Sequence, residues 1–251
     1  MTHIIFGGSN GIGQRCGLAL KEKLPSKILN IDIKPSQNKL YDQEILGDLT
    51  SKSFIDEIIK NISTENINSL IWSIRSRAES KNNLEIVKKT LEIELFPLIE
   101  IIDRLENVIS KSNSKIVVIS SIAAQFVSSQ HYAYNITKGA VESYVRNIAV
   151  NLGRKSDARI NILRAGIVSM PERTGSSILN KKILENASVP RLSIVKAEEI
   201  GKLVAFLSSN DSSSLNGSTK VSCEKDSGIP EDVGFPAVNS PDPALTRRLS
   251  T

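Results

Sequence analysis

THIIFGGSNGIG, Thr2–Gly13, is an apolar run that ends on a cluster of glycines, and a helical pattern through Leu18, Ala19 and Leu20 to Leu24 follows it until Pro25. The run predicts a buried strand over His3–Phe6, and strand, glycine-rich turn and helix in that order make a phosphate cradle. Without Cβ atoms the backbone can approach a pyrophosphate, and a helix N-terminus offers N–H groups that have no intrahelical acceptor. The same order also serves as a tight strand-to-helix turn with no ligand, so neighbouring segments must decide.

The next segment, Ile28–Ile33 (ILNIDI), reads as a second buried strand with Asp32 near its end, nineteen residues after Gly13. A dinucleotide-binding fold places there the carboxylate that bonds the adenosine ribose hydroxyls. Such a carboxylate repels a 2′-phosphate, so NAD(H) is favoured over NADP(H), with Lys34 pulling the other way. Further strands are expected at Gln43–Leu46, Ile67–Ile74, Lys115–Ser120, Arg159–Leu163 and Ser218–Ser222. Between them, Asp48 and Thr50 fit as caps for a helix through Phe54, Ile55, Ile58, Ile59 and Ile62. An amphipathic helix is expected over Asn83–Ile109 with a kink at Pro97, and further helices over Tyr132–Gly153, Ile178–Asn186 and Lys196–Ser208. The alternation predicts an α/β fold, a Rossmann-type doubly wound parallel sheet of about seven strands with helices on both faces and ligands at the carboxyl ends of the strands. Residues 1–225 form one dinucleotide-binding domain in this reading, and the proline-containing residues 226–251 an extended or disordered tail.

At the end of the fifth strand stands Ser121; Tyr134 follows thirteen positions on and Lys138 four after that. On a helix the last two share a face one turn apart. A nearby ammonium favours phenolate, which makes the phenol a candidate proton donor and acceptor, and Ser121 could hydrogen-bond a substrate oxygen. A tyrosine and a lysine at this spacing also occur on ordinary solvated helices, so the pair gains meaning only from its context.

Composition bounds the rest. The chain has 251 residues, 40% of them hydrophobic, a net charge of +5 and a pI near 9.1. Its lysines and arginines are scattered rather than gathered into a stripe, which argues against nucleic acid as a partner. Cys16 and Cys223 lack metal-binding or disulfide spacing, His3 and His131 lack partners at ligand spacing, and no metal is expected. No apolar run reaches membrane-spanning length, and the opening residues leave no room for a signal peptide. These points together give the expectation of a soluble, cytoplasmic protein without a membrane partner.

Over roughly residues 2–222 the sequence resembles the short-chain dehydrogenase/reductase family. Gly7-Gly8-Ser9-Asn10-Gly11-Ile12-Gly13 matches its glycine motif, Asp48-Leu49 its adenine-contacting pair, and Ser121, Tyr134 and Lys138 its catalytic residues at the family's spacing. The resemblance implies cofactor contacts at Gly7, Ser9, Asn10, Gly11, Ile12, Gly13, Asp32, Asp48, Leu49, Ser73, Tyr134, Lys138, Gly166 and Val168. It implies that Tyr134 exchanges a proton with the substrate oxygen, that Lys138 lowers its pKa and binds the nicotinamide ribose, and that Ser121 orients an alcohol or ketone substrate. It also implies a substrate lid over Pro171–Arg191 and a homodimer or homotetramer. Arg75 and Arg77, just past the fourth strand, could meet an anionic substrate or stand as solvated loop charges.

The sequence departs from the family pattern at several places. Phe6 replaces the threonine that opens the glycine motif, Trp72-Ser73-Ile74-Arg75 the Asn-Asn-Ala-Gly segment, Glu94 the fourth catalytic residue, an asparagine, Ala165 the proline before Gly166, and Met170 a threonine. A Glu94 carboxylate about 8 Å from the Lys138 ammonium would interact with it by roughly 2 kcal/mol at an effective dielectric near 20. That is enough to raise the working pH of Tyr134, and a protonated Glu94 could instead relay protons. The departures also leave open a catalytically inactive nucleotide sensor or scaffold, or a redox-assisted lyase or epimerase on the same site.

Overall fold

The computed structural model describes residues 1–76, 83–125, 132–169 and 194–222. Strand β1 (Thr2–Phe6) leads through the glycine turn into α1 (Gly11–Lys23) and then β2 (Lys27–Asp32), β3 (Gln43–Leu46), α2 (Lys52–Ile62) and β4 (Ile67–Trp72). Helices α3 (Leu84–Glu94) and α4 (Phe96–Ser112) precede β5 (Lys115–Ser121), a single 3-10 turn (Ile122–Ala124), α5 (Tyr132–Lys155) and β6 (Arg159–Ala165). A short parallel pair, β7 (Ile167–Ser169) with β8 (Ile194–Lys196), leads into α6 (Ala197–Leu207) and β9 (Thr219–Ser222).

Seven strands form one parallel sheet in the order β3-β2-β1-β4-β5-β6-β9. The reversal of direction at β1 and β4 is the doubly wound topology, and it opens a crevice at the carboxyl ends of those strands. Side chains alternate between the faces, as the two-residue period of a strand requires. Ile4, Phe6, Leu70, Trp72, Ile116 and Val118 meet α2, α4 and α5 on one face. Ile5, Ile71, Val117 and Ile119 meet α1 and α6 on the other. Burial on both sides is why the strands read as near-continuous apolar runs. Each such isoleucine or leucine stabilises the fold by roughly 1.5–3 kcal/mol.

Two local expectations are corrected. The helix expected over Asn83–Ile109 is two helices, divided at Leu95 (φ −105°, ψ −53°), with Pro97 in the first turn of α4. Proline has no N–H to offer the preceding turn and its ring crowds a carbonyl there, so the chain restarts instead of bending. The N-cap of α2 is Ser51, while Asp48 Oδ1 accepts from Thr50 N and Thr50 Oγ1, both at 2.9 Å, and forms a turn of its own. The helix expected at Ile178–Asn186, the lid region, residues 226–251, Arg77, His131, Met170 and Cys223 lie outside the described residues.

Candidate active site

The glycine turn is held from within the chain. Gly7 (φ 81°) and Gly11 (φ 57°) adopt left-handed backbone that other residues reach only with strain, and a Cβ on Gly13 would lie 2.0 Å from the Gly7 carbonyl oxygen. Gly8 N donates to Asn30 Oδ1 (3.0 Å), Ser9 N to Asp32 Oδ2 (2.9 Å), and Asn30 Nδ2 to Ser9 Oγ (3.0 Å). The Tyr41 hydroxyl donates to the Gly8 carbonyl and Ser9 Oγ to the Lys34 carbonyl. The amides of Gly8 and Ser9 are thus already engaged. The start of α1 is different: Asn10 makes no side-chain cap and the first turn carries no acidic residue. Gly11, Ile12 and Gly13 therefore present N–H groups suited to a diphosphate, and the turn fits a dinucleotide.

The other expected cofactor residues lie at the same sheet edge. Asp32 ends β2, its Oδ1 accepting from Ile33 N at 2.7 Å, which fixes the carboxylate beside the turn. Ser73 follows β4 and donates its amide to the Phe6 carbonyl (2.9 Å). Asp48 is exposed beyond the edge strand β3, whereas the Leu49 side chain belongs to the core. Gly166 follows β6, and Val168 packs against the α1–α6 core.

Ser121 closes β5, half-buried, and its Oγ accepts from Ala123 N (3.2 Å), capping the 3-10 turn. Tyr134 is half-buried in the first turn of α5, with Lys138 one turn on. Lys138 is 3% exposed; its Nζ stands 5.8 Å from the Tyr134 ring centroid and donates to the Ile119 carbonyl at 3.3 Å. The exposed Arg75 places its guanidinium carbon 5.2 Å from the same centroid.

Glu94 is where the geometry departs most from expectation. Its carboxylate does not stand about 8 Å from Lys138: Oε2 lies 2.8 Å from Nζ, and the residue is fully buried. Helices α3 and α5 come this close because threonines face each other between them, Thr90 Oγ1 and Thr137 Oγ1 at 2.7 Å. The second carboxylate oxygen accepts from Ser76 N (2.8 Å) and Ser76 Oγ (2.6 Å), and the backbone carbonyl of Glu94 accepts from Trp72 Nε1 (3.1 Å). Trp72 in turn packs on Phe6, ring centroids 4.9 Å apart and planes tilted by 41°. Phe6 and Trp72 thus pack together, and Trp72 anchors the backbone at the end of α3 from which the Glu94 side chain projects. Burial lowers the Lys138 pKa, but Glu94 and Tyr134 outweigh it and the net direction is upward, so the ammonium stays charged.

Sequence reasoning missed a second buried acid. Glu142, one turn beyond Lys138, accepts from Ser120 Oγ (2.7 Å) and from Arg164 Nε (2.8 Å) and Nη2 (2.6 Å). Its signal was a carboxylate on the apolar stripe of α5, as Asn30 within an apolar strand signalled the support of the glycine turn. Among the described residues no group of histidine, cysteine or acidic side chains could hold a metal, and no helix is long and apolar enough to cross a membrane.

A family model described as enoyl-(acyl carrier protein) reductase matches residues 19–223. The chain is 27% identical over 155 residues to enoyl-[acyl-carrier-protein] reductase [NADH] 1 of Rhizobium meliloti, covering 61% of this chain and 55% of that protein. It is 24% identical over 244 residues to hydroxynaphthalene reductase arp2 of Aspergillus fumigatus, covering 85% and 88%. The chain thus spans about half the length of the first relative and most of the second. Its fold superimposes on a 3-oxoacyl (acyl-carrier-protein) reductase of Agrobacterium tumefaciens with NADP bound, with a TM-score of 0.76, 18% identity, and coverage of 88% of this chain and 92% of that one. With a doubly wound sheet, the glycine turn and the Ser121, Tyr134 and Lys138 positions in place, the chain belongs to the short-chain dehydrogenase/reductase family of oxidoreductases.

Proposed function

We propose that the protein interconverts a secondary alcohol and a ketone with a nicotinamide cofactor, and that Tyr134 is its acid/base group. The observation that carries this reading is the approach of two cations, Arg75 at 5.2 Å and Lys138 at 5.8 Å, to the Tyr134 ring at the start of the helix that follows Ser121 and the carboxyl end of β5. In reduction Tyr134 gives its phenolic proton to the carbonyl oxygen, and in oxidation it takes the proton back. Ser121 donates a hydrogen bond to that oxygen, and Lys138 holds the nicotinamide ribose. The bound nicotinamide supplies or accepts the hydride at its C4. Asp32, fixed beside the glycine turn, favours NAD(H) over NADP(H); the exposed Lys34 is the one feature opposing it.

Further parts of this reading are an anionic substrate, met by Arg75, a homodimer or homotetramer, and a cytoplasmic site of action, in keeping with a buried free thiol at Cys16. The buried contact of Glu94 with Lys138, its second oxygen met by both Ser76 donors, favours an enzyme over a scaffold that has lost its site, since the replacement holds the lysine beside Tyr134. Calorimetric titration with NADH and NADPH, followed by turnover with a panel of secondary alcohols and ketones, tests it. Tight NADH binding with turnover supports the reading; no binding of either nucleotide overturns it.

A further inference from the structure

The two cations beside Tyr134 differ in their counter-charge. Lys138 is buried and meets the fully buried carboxylate of Glu94 at 2.8 Å. The other oxygen of that carboxylate accepts from Ser76 N and Ser76 Oγ, so donors surround the acid and the lysine has its counter-charge in direct contact. The next charges along α5 are also matched: Glu142 binds Arg164 through two contacts, with Arg146 at 3.5 Å. Arg75 is exposed and, among the described residues, pairs with no acid, although its guanidinium carbon is closer to the ring centroid than Lys138 Nζ, 5.2 Å against 5.8 Å.

We propose that Arg75, rather than Lys138, supplies the uncompensated positive charge beside the Tyr134 phenol, Lys138 being neutralised by Glu94 and left to position the ring and the ribose. The field of a closed ion pair falls away with distance faster than that of a single charge, so Lys138, with Glu94 2.8 Å from its Nζ, favours the phenolate less than an unpaired lysine would at the same distance. The charged groups facing Tyr134 among the described residues are Lys138 from α5, Glu94 from α3 through Lys138, and Arg75 from the segment after β4. Arg75 and Glu94 act through Tyr134 and Lys138 and are positioning residues in this scheme. It rests on the assignment of Tyr134 as the acid/base group.

The test reads the phenol directly and needs neither cofactor nor substrate. The chain has four tyrosines. Burial pushes the phenols of Tyr41 and Tyr144 up, out of the range of interest, and subtraction of a Tyr134→Phe titration removes the contribution of Tyr132. Ultraviolet difference titration is then repeated in Arg75→Gln, Arg75→Lys and Glu94→Gln, each with its own Tyr134→Phe partner. Arg75→Gln is expected to raise the Tyr134 midpoint by about one pH unit, and Arg75→Lys to restore most of the difference. Glu94→Gln, which frees the Lys138 charge, is expected to lower it by a similar amount, and Arg75→Gln with Glu94→Gln to return it near wild type.

An unmoved midpoint in Arg75→Gln overturns the proposal. That side chain is exposed, so its variant decides the matter even where Glu94→Gln does not fold. The pH profile of kcat/KM is expected to move in the same direction as the titration. The two readings fail separately. Tyr134→Phe turning over substrate like wild type removes the acid/base assignment, whereas lost turnover in Tyr134→Phe with an unmoved midpoint in Arg75→Gln removes only the role of Arg75.

Discussion

The two ends of the sheet put their buried polar groups to different uses. At the amino edge buried polar side chains tie one piece of backbone to another. His3 Nε2 donates to the Leu24 carbonyl (2.9 Å) while Nδ1 pairs with Ser69 Oγ (2.7 Å). Ser114 Oγ donates to the Ile67 carbonyl (2.8 Å), and Arg159 Nη2 to the Ser209 carbonyl (2.9 Å). At the carboxyl edge side chains also brace backbone at the glycine turn, but there opposite charges pair as well, Lys138 with Glu94 and Glu142 with Arg164, while Tyr134 and Ser121 stay half-buried. Bonds to backbone fix the chain, whereas bonds among side chains fix charge in space. The expectation is that substitutions at the carboxyl edge act first on rate and those at the amino edge first on stability.

The largest expected effect is at the carboxyl edge. Tyr134→Phe removes only a hydroxyl and is expected to cost 10²–10⁴-fold, in order of magnitude, in kcat while the thermal midpoint stays near wild type. A fall in stability as large as the fall in rate would erase the distinction between the edges. The next is its opposite: Arg159→Ala is expected to lose about 2 kcal/mol in urea unfolding, from a charged donor taken away from buried carbonyl and hydroxyl acceptors, with kcat unchanged. Smaller again, Asp32→Ala should weaken NADH about tenfold, or ~1.4 kcal/mol, by calorimetry. It should weaken NADPH less, because the same change removes a repulsion.

The smallest effect is a pH dependence at the amino edge. Burial holds the His3 pKa below its ordinary 6.5, against the opposing hydrogen bond to Leu24. The folded state thus prefers the neutral ring. Its contribution is complete above the unfolded value and is lost as pH falls below about 6.5, by at most ~1.4 kcal/mol per pH unit. Unfolding curves of wild type and His3→Gln at neutral and mildly acid pH should diverge in that window. Parallel curves would show that His3 takes no part.

The sheet was legible because burial on both faces writes strands as apolar runs: β3 was expected at Gln43–Leu46 and lies there. The glycine turn, Ser121, Tyr134 and Lys138 were legible because they sit at fixed offsets from those runs. The closeness of Glu94 to Lys138 was not, since spacing governs contacts along one helix and not between two. That distance depends on Thr90 against Thr137 and on a helix that ends at Glu94, neither of which leaves a periodic trace. The supports of the glycine turn were hidden likewise, because Asn30 and Tyr41 reach back 22 and 33 positions to Gly8.

Trp72 is the only tryptophan in the chain, fully packed, with its indole N–H on the carbonyl of Glu94 and its face on Phe6. The protein therefore carries one indole fluorophore, excitable apart from its tyrosines and bonded to the very residue that supplies the lysine's counter-ion. Its emission colour and lifetime should report the ionisation of that carboxylate and the arrival of a nicotinamide ring, by energy transfer, with no label attached.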